Sequence, residues 1–392
     1  MILVFEMTCV GPVHAAFNAN MLEVITRSYP AQSVTMFGEA EHLGLVQDLS
    51  VDQVRRQVMF NPVKISSAFR GMPHVVSIKR FLDEMVVIRE ACKRVVSDQA
   101  CLIVFCSATP TAILAAQFNM LRFKNRLIQV IYHGNLSAIT GWRTRNPFLR
   151  AMDLISIFNR KYQTKTRFVM LEHGISIALS DFIPNVQNRL DVLPHMLPRV
   201  KFGIVNETKF REKIRFGFIG GATKDKGFDT FVKLAQKFSQ ISECEVEFIL
   251  IGKLFGSLDQ LACSGIKILD EQYLAIPDNY YTAVHSLDFA IFPFKPGYYD
   301  LSPSGALLDA LAYNVPVIAI RNATIAKMFD EYGALGALCN NDEEMFDVIH
   351  QIIHNKETFS SERYQKSMKN ISKFRSVEYL ATLYRALPGV PF

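Results

Sequence analysis

Along the first half of the chain, short β-branched and apolar runs alternate with longer amphipathic stretches, the pattern of repeated strand–helix units. The pattern predicts a strand over 2–5 and a helix over 14–27, with Ala16, Met21, Val24 and Ile25 among its apolar positions. A strand over 33–37 follows, then a strand-like run at 74–78 leading into a helix over 81–96. Residues 101–106 read as a buried strand before a helix around 111–121, and two further strands are predicted over 127–132 and 167–171. Such an order implies a mostly parallel sheet covered on both faces.

Two proline-bearing segments then punctuate the chain, Ile183-Pro184 and Leu193-Pro194-His195-Met196-Leu197-Pro198, and polar residues follow. Proline restrains its own backbone and that of its predecessor, which suits a linker, so a domain boundary is placed near residue 200. Beyond it the alternation restarts. Strands are predicted over 214–219, 246–251, 266–269, 288–293 and 315–320. Helices are predicted over 228–238, 280–285 and 304–313, and from 342 onward; Phe228, Phe231, Val232, Ala235 and Phe238 share one stripe of the first. The expected architecture is α/β, with two Rossmann-like, doubly wound domains facing a cleft. These are an N-terminal domain over 1–200, a C-terminal domain over 201–375, and a last helix over 376–392 returning to the first domain.

Composition narrows the class. A chain of 392 residues exceeds what one core usually serves, and 49% hydrophobic against 20% charged residues describes a folded protein. No apolar run reaches the roughly 18 residues of a membrane span, and the opening residues read as a strand rather than a signal peptide. The seven cysteines are scattered with no C-x-x-C pair, which suggests a reducing, cytoplasmic setting and no zinc. Charge is uneven: 22 Lys/Arg against 14 Asp/Glu in residues 1–200, but 21 against 23 in residues 201–392. Between Arg122 and Arg167 ten basic residues meet one acid, Asp153, with Trp142, Phe148, Leu149 and Ile157 interleaved. That field suits a phosphate-bearing ligand or an anionic membrane face, or is simply a solvated surface.

Ligands of open α/β sheets bind beyond the carboxyl ends of the strands, so the strand-to-helix loops carry the candidate chemistry. Gly220-Gly221-Ala222-Thr223-Lys224-Asp225-Lys226-Gly227 joins a strand to an amphipathic helix. Its paired glycines admit close backbone approach, and helix-start amides with two lysines favour a phosphate. A plain Gly-Gly turn with solvated lysines accounts for the same residues. Ser302-Pro303-Ser304-Gly305 opens a second helix, which either serine can cap, and Asp309 shares a face with Gly305 one turn on. That edge can offer amides to a diphosphate and a carboxylate to ribose hydroxyls, unless Asp309 is only solvated. Asn314 suits the left-handed exit of this helix.

Together, Lys226-Gly227 and the later Ser304-Gly305-x-x-Leu308-Asp309-Ala310-Leu311-Ala312 resemble the C-terminal domain of GT-B fold glycosyltransferases. The nearest group is the GT4-like enzymes of bacterial surface polysaccharide synthesis. The resemblance covers about residues 214–320 and implies that Lys226 contacts the donor diphosphate and Asp309 the ribose. Where the family has a glutamate for the donor sugar, this chain has Leu301, with Asp300 one position earlier. Tyr132-His133-Gly134 at a strand end resembles the histidine of that family that touches the donor sugar; Glu172-His173-Gly174 repeats the arrangement.

Three further candidates complete the reading. His14, after Gly11-Pro12, stands where such enzymes line the acceptor site, and an imidazole can accept a hydroxyl proton near neutral pH; a capping or buried structural role is the alternative. Tyr273 and Ile276 are candidates for packing on the nucleobase, or for core. No Asp-x-Asp pair or His/Asp cluster suggests a metal, and no cofactor is expected beyond the nucleoside-diphosphate sugar as co-substrate. The expected partners are that donor and a saccharide or lipid-linked acceptor, with peripheral contact to the inner face of an anionic membrane and no nucleic acid. A nucleotide-sugar 2-epimerase on the same scaffold, or nucleic-acid binding through the basic half, are the rival functions.

Overall fold

Two runs of parallel strands, each buried by helices, carry the chain. The computed structural model describes all residues except 67–71, 73, 96–99, 122, 124, 135, 137–138, 140–143, 161–164, 200–212, 240–245, 256–263, 270, 276, 356–358, 360 and 391, and the side chains at 239, 273, 277, 361 and 362. Trp142, Ile276 and the expected domain boundary near residue 200 therefore lie outside the described residues, as does the Tyr273 side chain. The chain divides into a unit of Met1–Met196, Leu301–Pro303 and Arg375–Phe392, and a unit of Leu197–Asp300 and Ser304–Phe374.

In the N-terminal unit the strands are β1 Ile2–Glu6, β2 Val34–Gly38, β3 Val58–Pro62, β4 Cys101–Ser107, β5 Arg126–Tyr132, β6 Thr166–Met170 and β7 Leu190–Val192, in spatial order β3-β2-β1-β4-β5-β6-β7. β1, β2 and β4 are buried at every position, because helices cover both faces of the sheet. One face packs Phe5, Phe105, Ile128 and Phe168; the other packs Val4, Leu102, Leu127 and Val169. The C-terminal helix Val377–Arg385 joins the second face through Leu380 and Tyr384. Tyr384 Oη donates to Gln129 Oε1, and Ser28 Oγ donates to the Ala381 carbonyl at 2.8 Å.

The third strand corrects the sequence reading. Residues 74–77 form no strand; they lead to a helix at Ile78–Cys92 whose cap is Ser77 Oγ, accepting from the Arg80 amide at 3.1 Å. Val58–Pro62 pairs with β2 instead, from Val34↔Val58 to Gly38↔Pro62. It is an edge strand, half-exposed along Met59–Asn61, so it lacks the continuous apolar run that marks its neighbours.

In the second unit the strands are β8 Ile214–Ile219, β9 Val246–Ile251, β10 Lys267–Ile268, β11 Phe289–Phe292, β12 Val317–Ile320 and β13 Gly336–Cys339, in order β10-β9-β8-β11-β12-β13. Each sheet reverses its winding direction once, between β1 and β4 and between β8 and β11. The loops leaving those strands are where such sheets open a crevice for ligand. Asn314 takes the left-handed conformation, φ 56°, at the end of the helix Gly305–Ala312.

Close backbone approach sets the loops of the second sheet. At Gly227, φ +76°, a Cβ would lie 1.7 Å from the Pro293 carbonyl oxygen, so a side chain there must break the contact between the β8 and β11 loops. Gly227→Ala is expected to lower the unfolding free energy by at least about 2 kcal/mol in urea titration. Gly44→Ala is the control: its Cβ would meet nothing within 4 Å in the helix Ala40–Leu49, and it should stabilise by about 0.5–1 kcal/mol. Equal effects from the two would contradict this packing.

Candidate functional site

In the second unit the two candidate turns meet. Gly220 follows β8 with φ +97°; a Cβ there would lie 3.5 Å from Lys226 Nζ and 3.7 Å from Ala306 Cβ. The Gly-rich loop, its lysine and the start of the Gly305–Ala312 helix therefore share one spot. Ser304 caps that helix, its Oγ accepting from the Leu307 amide at 3.3 Å. The amides of Gly305 and Ala306, in the first turn, have no intrahelical acceptor. Gly305 is exposed, and a Cβ on it would meet nothing within 4 Å. Lys226 is half-buried, and burial lowers its ammonium from the usual value. Among the described residues no carboxylate pairs with it. Partial positive charge from the amides and a full charge from the lysine thus converge on an uncompensated point, which is what an anion needs.

One helical turn further, Asp309 accepts from Tyr280 Oη at 2.7 Å. Burial raises the Asp309 carboxyl to about 6, opposed by the tyrosine's hydrogen bond. Tyr280 lies in the helix Pro277–His285, beside Tyr281, which stacks on Tyr313 with ring centroids 5.4 Å apart. Sequence reading missed Tyr280, whose helix pattern looks like ordinary core. Asp300 is half-buried, with no hydrogen bond or ion pair to its side chain among the described residues. Leu301, its neighbour, is buried in the core of the N-terminal unit.

In that N-terminal unit three histidines adjoin. His14 follows the tight turn at Gly11, φ +54°, and is itself left-handed, φ 57° and ψ 14°, at the start of the helix Ala15–Ser28. Its side chain makes no capping bond. His133, past the end of β5, places Nδ1 3.0 Å from His14 Nδ1 and 3.2 Å from His14 Nε2. His133 Nε2 is 2.7 Å from His195 Nε2, and His195 Nδ1 is 2.7 Å from the Met196 carbonyl oxygen. Phe17 stacks on His133 at 4.4 Å between ring centroids. Burial lowers all three rings: His14 despite nearby Glu6, His133 well below the usual range with His195 and His14 adding to the effect, and His195 to about 4. Sequence reading missed His195 because its flanking prolines look like linker. Among the described residues no three His, Cys, Asp or Glu side chains are arranged to hold a metal.

The loop that carries His14 is anchored by buried polar groups. Glu6, at the end of β1, accepts from the Thr8 and Cys9 amides at 2.9 Å each, from Asn18 Nδ2 at 3.0 Å, and from Ser107 Oγ. Asn18 Nδ2 also lies 2.8 Å from His42 Nε2, and His42 Nδ1 donates to the Gly11 carbonyl at 2.8 Å.

Glu172 has a different place from the one its motif suggests. Both its oxygens are held by Arg375, at 2.6 and 2.7 Å, in a fully buried fork, and the same guanidinium donates to the His195 carbonyl at 3.0 Å. With both oxygens engaged, Glu172 anchors the strand end instead of reaching outward. Ile157, expected on a basic surface, is core: in the helix Leu154–Asn159 it faces inward and is fully buried. Phe148, on the short helix Pro147–Arg150, is 73% exposed between exposed Arg145 and Arg150. Among the described residues no helix is long and apolar enough to cross a membrane.

Removing one member of a buried pair strands a charge. Arg375→Met is expected to cost about 3–5 kcal/mol of stability, and the double change Arg375→Met with Glu172→Leu to recover most of it. A single-variant cost under about 1 kcal/mol in chemical denaturation would show the fork to be solvated.

Residues 213–355 match the family model described as Glycosyl transferases group 1. No curated protein matches the chain in sequence. Its three-dimensional structure is similar to that of a glycosyltransferase from Rickettsia africae, with a TM-score of 0.66 and 12% identity over 98% of this chain and 96% of that one. It is also similar to HepE from Anabaena in complex with UDP-glucose (TM-score 0.57, 13% identity, 98% and 99% covered). An α,α-trehalose-phosphate synthase (UDP-forming) from Burkholderia vietnamiensis gives a TM-score of 0.63 at 8% identity, with 98% and 97% covered. At these identities the likeness establishes the fold, and that fold is GT-B.

Proposed function

We propose that the protein moves a sugar from a nucleoside-diphosphate sugar to an acceptor hydroxyl, on the match of residues 213–355 to the model of the group 1 glycosyl transferases and the GT-B fold of the chain. The observation that carries the proposal is the convergence of Gly220, Lys226 and Ala306 on one uncompensated positive point. A diphosphate set there lies against the amides of Gly305 and Ala306 and the Lys226 ammonium. These groups stabilise the negative charge that grows on the leaving diphosphate as the glycosidic bond breaks, with no metal needed. Asp309, with Tyr280 on one oxygen, keeps the other for the ribose hydroxyls. Asp300 takes the role of sugar contact that Leu301, turned into core, does not fill. The base is uracil, as in the complex of HepE with UDP-glucose.

The acceptor is a lipid-linked or polysaccharide precursor at the inner face of the cytoplasmic membrane. Exposed Phe148 between Arg145 and Arg150 supports this reading, since an apolar side chain flanked by cations suits an anionic lipid surface. His14 takes the acceptor's proton. Glu172 acts through Arg375 and touches no substrate.

Calorimetric titration with UDP tests the donor site. Lys226→Ala should weaken binding about 10- to 100-fold, the worth of a hydrogen bond to a charged group. Unchanged affinity would remove the diphosphate from this spot. UDP-glucose, whose own phosphates do not titrate in this range, tests Asp309. Ribose hydroxyls donate to the ionised carboxylate, so affinity should hold above pH 6 and fall as pH drops through about 6, where Asp309 takes up a proton. Asp309→Asn should bind more weakly and lose that pH dependence; a variant that keeps it would assign the titration elsewhere.

A further inference from the structure

Asp309 stands one helical turn past the bare amide of Gly305, about 6 Å along the helix axis. That step suits a nucleotide, whose ribose hydroxyls follow its phosphates at a similar spacing. Burial nevertheless favours the neutral acid, and a neutral carboxyl is a poorer acceptor for hydroxyl protons. Asp309 is the one titratable residue of its helix. Among the described residues its side chain has a single hydrogen bond, to Oδ2 from Tyr280 Oη at 2.7 Å, and no cation pairs with it. An ionised carboxylate has no proton to give, so in that state the tyrosine hydroxyl must be the donor. The bond therefore favours the charged form. It is the one interaction set against burial.

We infer that Tyr280 is a positioning residue for the ribose: its hydroxyl holds Oδ2, keeps Asp309 charged, and leaves Oδ1 as the acceptor for the sugar hydroxyls of the nucleotide. The inference rests on the glycosyl-transfer reading for its ligand; the effect of the tyrosine on the carboxylate does not. A phenol suits the task because it donates one hydrogen bond and brings no charge, so Oδ1 keeps its pull on the ribose. A lysine in the same place would compete for both oxygens. Burial first, then the charge and hydrogen bond of Asp309, raise the Tyr280 hydroxyl well above its usual value, so it stays a donor while Asp309 titrates.

Neighbouring rings hold the backbone that delivers this hydroxyl. Tyr280 lies edge-on to Tyr281, with planes 72° apart, and Tyr281 stacks on Tyr313 with planes 25° apart. Tyr313 stands where the helix Gly305–Ala312 ends, its amide bonded back to the Asp309 and Ala310 carbonyls at 3.3 and 3.2 Å. The rings thus tie the helix Pro277–His285 to the end of the helix that carries Asp309. The same helix brings Asp278 and His285 to this side, and Lys226 stands with Ala306 against Gly220, one turn earlier. Of the other elements packed on Gly305–Ala312, the strand Val317–Ile320 has no ionisable side chain. The helix Ser361–Phe374 buries Tyr364, while its Arg363, Lys366, Lys369 and Lys373 are exposed. None of these groups donates a hydrogen bond to Asp309 among the described residues.

Two titrations of the full chain test the inference. In the free protein, carbon-13 spectra of labelled aspartate carboxyls, with Asp309 assigned through Asp309→Asn, read its midpoint, expected at about 6. Tyr280→Phe keeps the ring and removes the donor. The midpoint should then rise by about one to two pH units, the worth of a hydrogen bond to a charged group. Tyr281→Phe makes the same change one residue on and should leave the midpoint in place. The second titration measures UDP-glucose affinity by calorimetry. Tyr280→Phe should bind about three- to twentyfold more weakly near about pH 6.5, and within about threefold of the unaltered protein near about pH 8.5, where both carboxylates are ionised. In the Asp309→Asn background the same change should have an effect that does not vary with pH. An unmoved midpoint in Tyr280→Phe, or a loss of affinity equal at every pH, would overturn the inference and leave the tyrosine as packing alone. A midpoint that rises as expected in a protein that binds no UDP-glucose would instead sink the donor-site reading, and the ribose role with it.

Discussion

Close approach of backbone to backbone, at positions where no Cβ stands, holds the donor end of this protein together. A side chain at Gly252 would meet the Gly220 carbonyl at 2.1 Å, and one at Gly227 would meet the Pro293 carbonyl at 1.7 Å. The loops after β8, β9 and β11 are thereby drawn into one layer, and Lys226 is carried to within reach of the helix start at Gly305. The electrostatics follows from that geometry. Helix-start amides and an ammonium are each common features; what is specific is that Lys226 and Ala306 both stand against Gly220, with no carboxylate paired to the lysine among the described residues.

The N-terminal unit uses buried polar groups where the second uses bare backbone. Glu6 collects backbone and side-chain donors at the end of β1, and Arg375 closes on Glu172 from the far end of the chain. Several donors on a buried carboxylate offset the cost of taking it from solvent, and the carboxylate fixes the loops that supply those donors. His14 and His195 both hang from segments anchored in this way. Burial lowers both rings, against the pull of Glu6 at His14 and of the Met196 carbonyl hydrogen bond at His195.

Much of the fold was legible because parallel strands covered on both faces leave an unbroken apolar run, as in residues 2–5 and 216–219. Val58–Pro62 was not, since an edge strand is only half covered and its polar residues blur the run. At the site, glycine and helix-start residues such as Gly220, Ser304 and Asn314 were readable, for each has a local backbone reason to be there. His195 was hidden by prolines that shape an extended segment as readily as a linker. Arg375 had no local signal at all, because its partner Glu172 lies 203 positions away in the sequence. The missing glutamate at Leu301 was visible; that this leucine fills the core of the N-terminal unit was not.

The central claim is that the Gly220 loop and the Gly305 helix start together hold a pyrophosphate. A crystal structure of the UDP complex tests it most directly. The account requires phosphate oxygens within hydrogen-bond distance of Lys226 Nζ and the amides of Gly305 and Ala306. Density for the nucleotide at any other place, with these groups left bare, would contradict it.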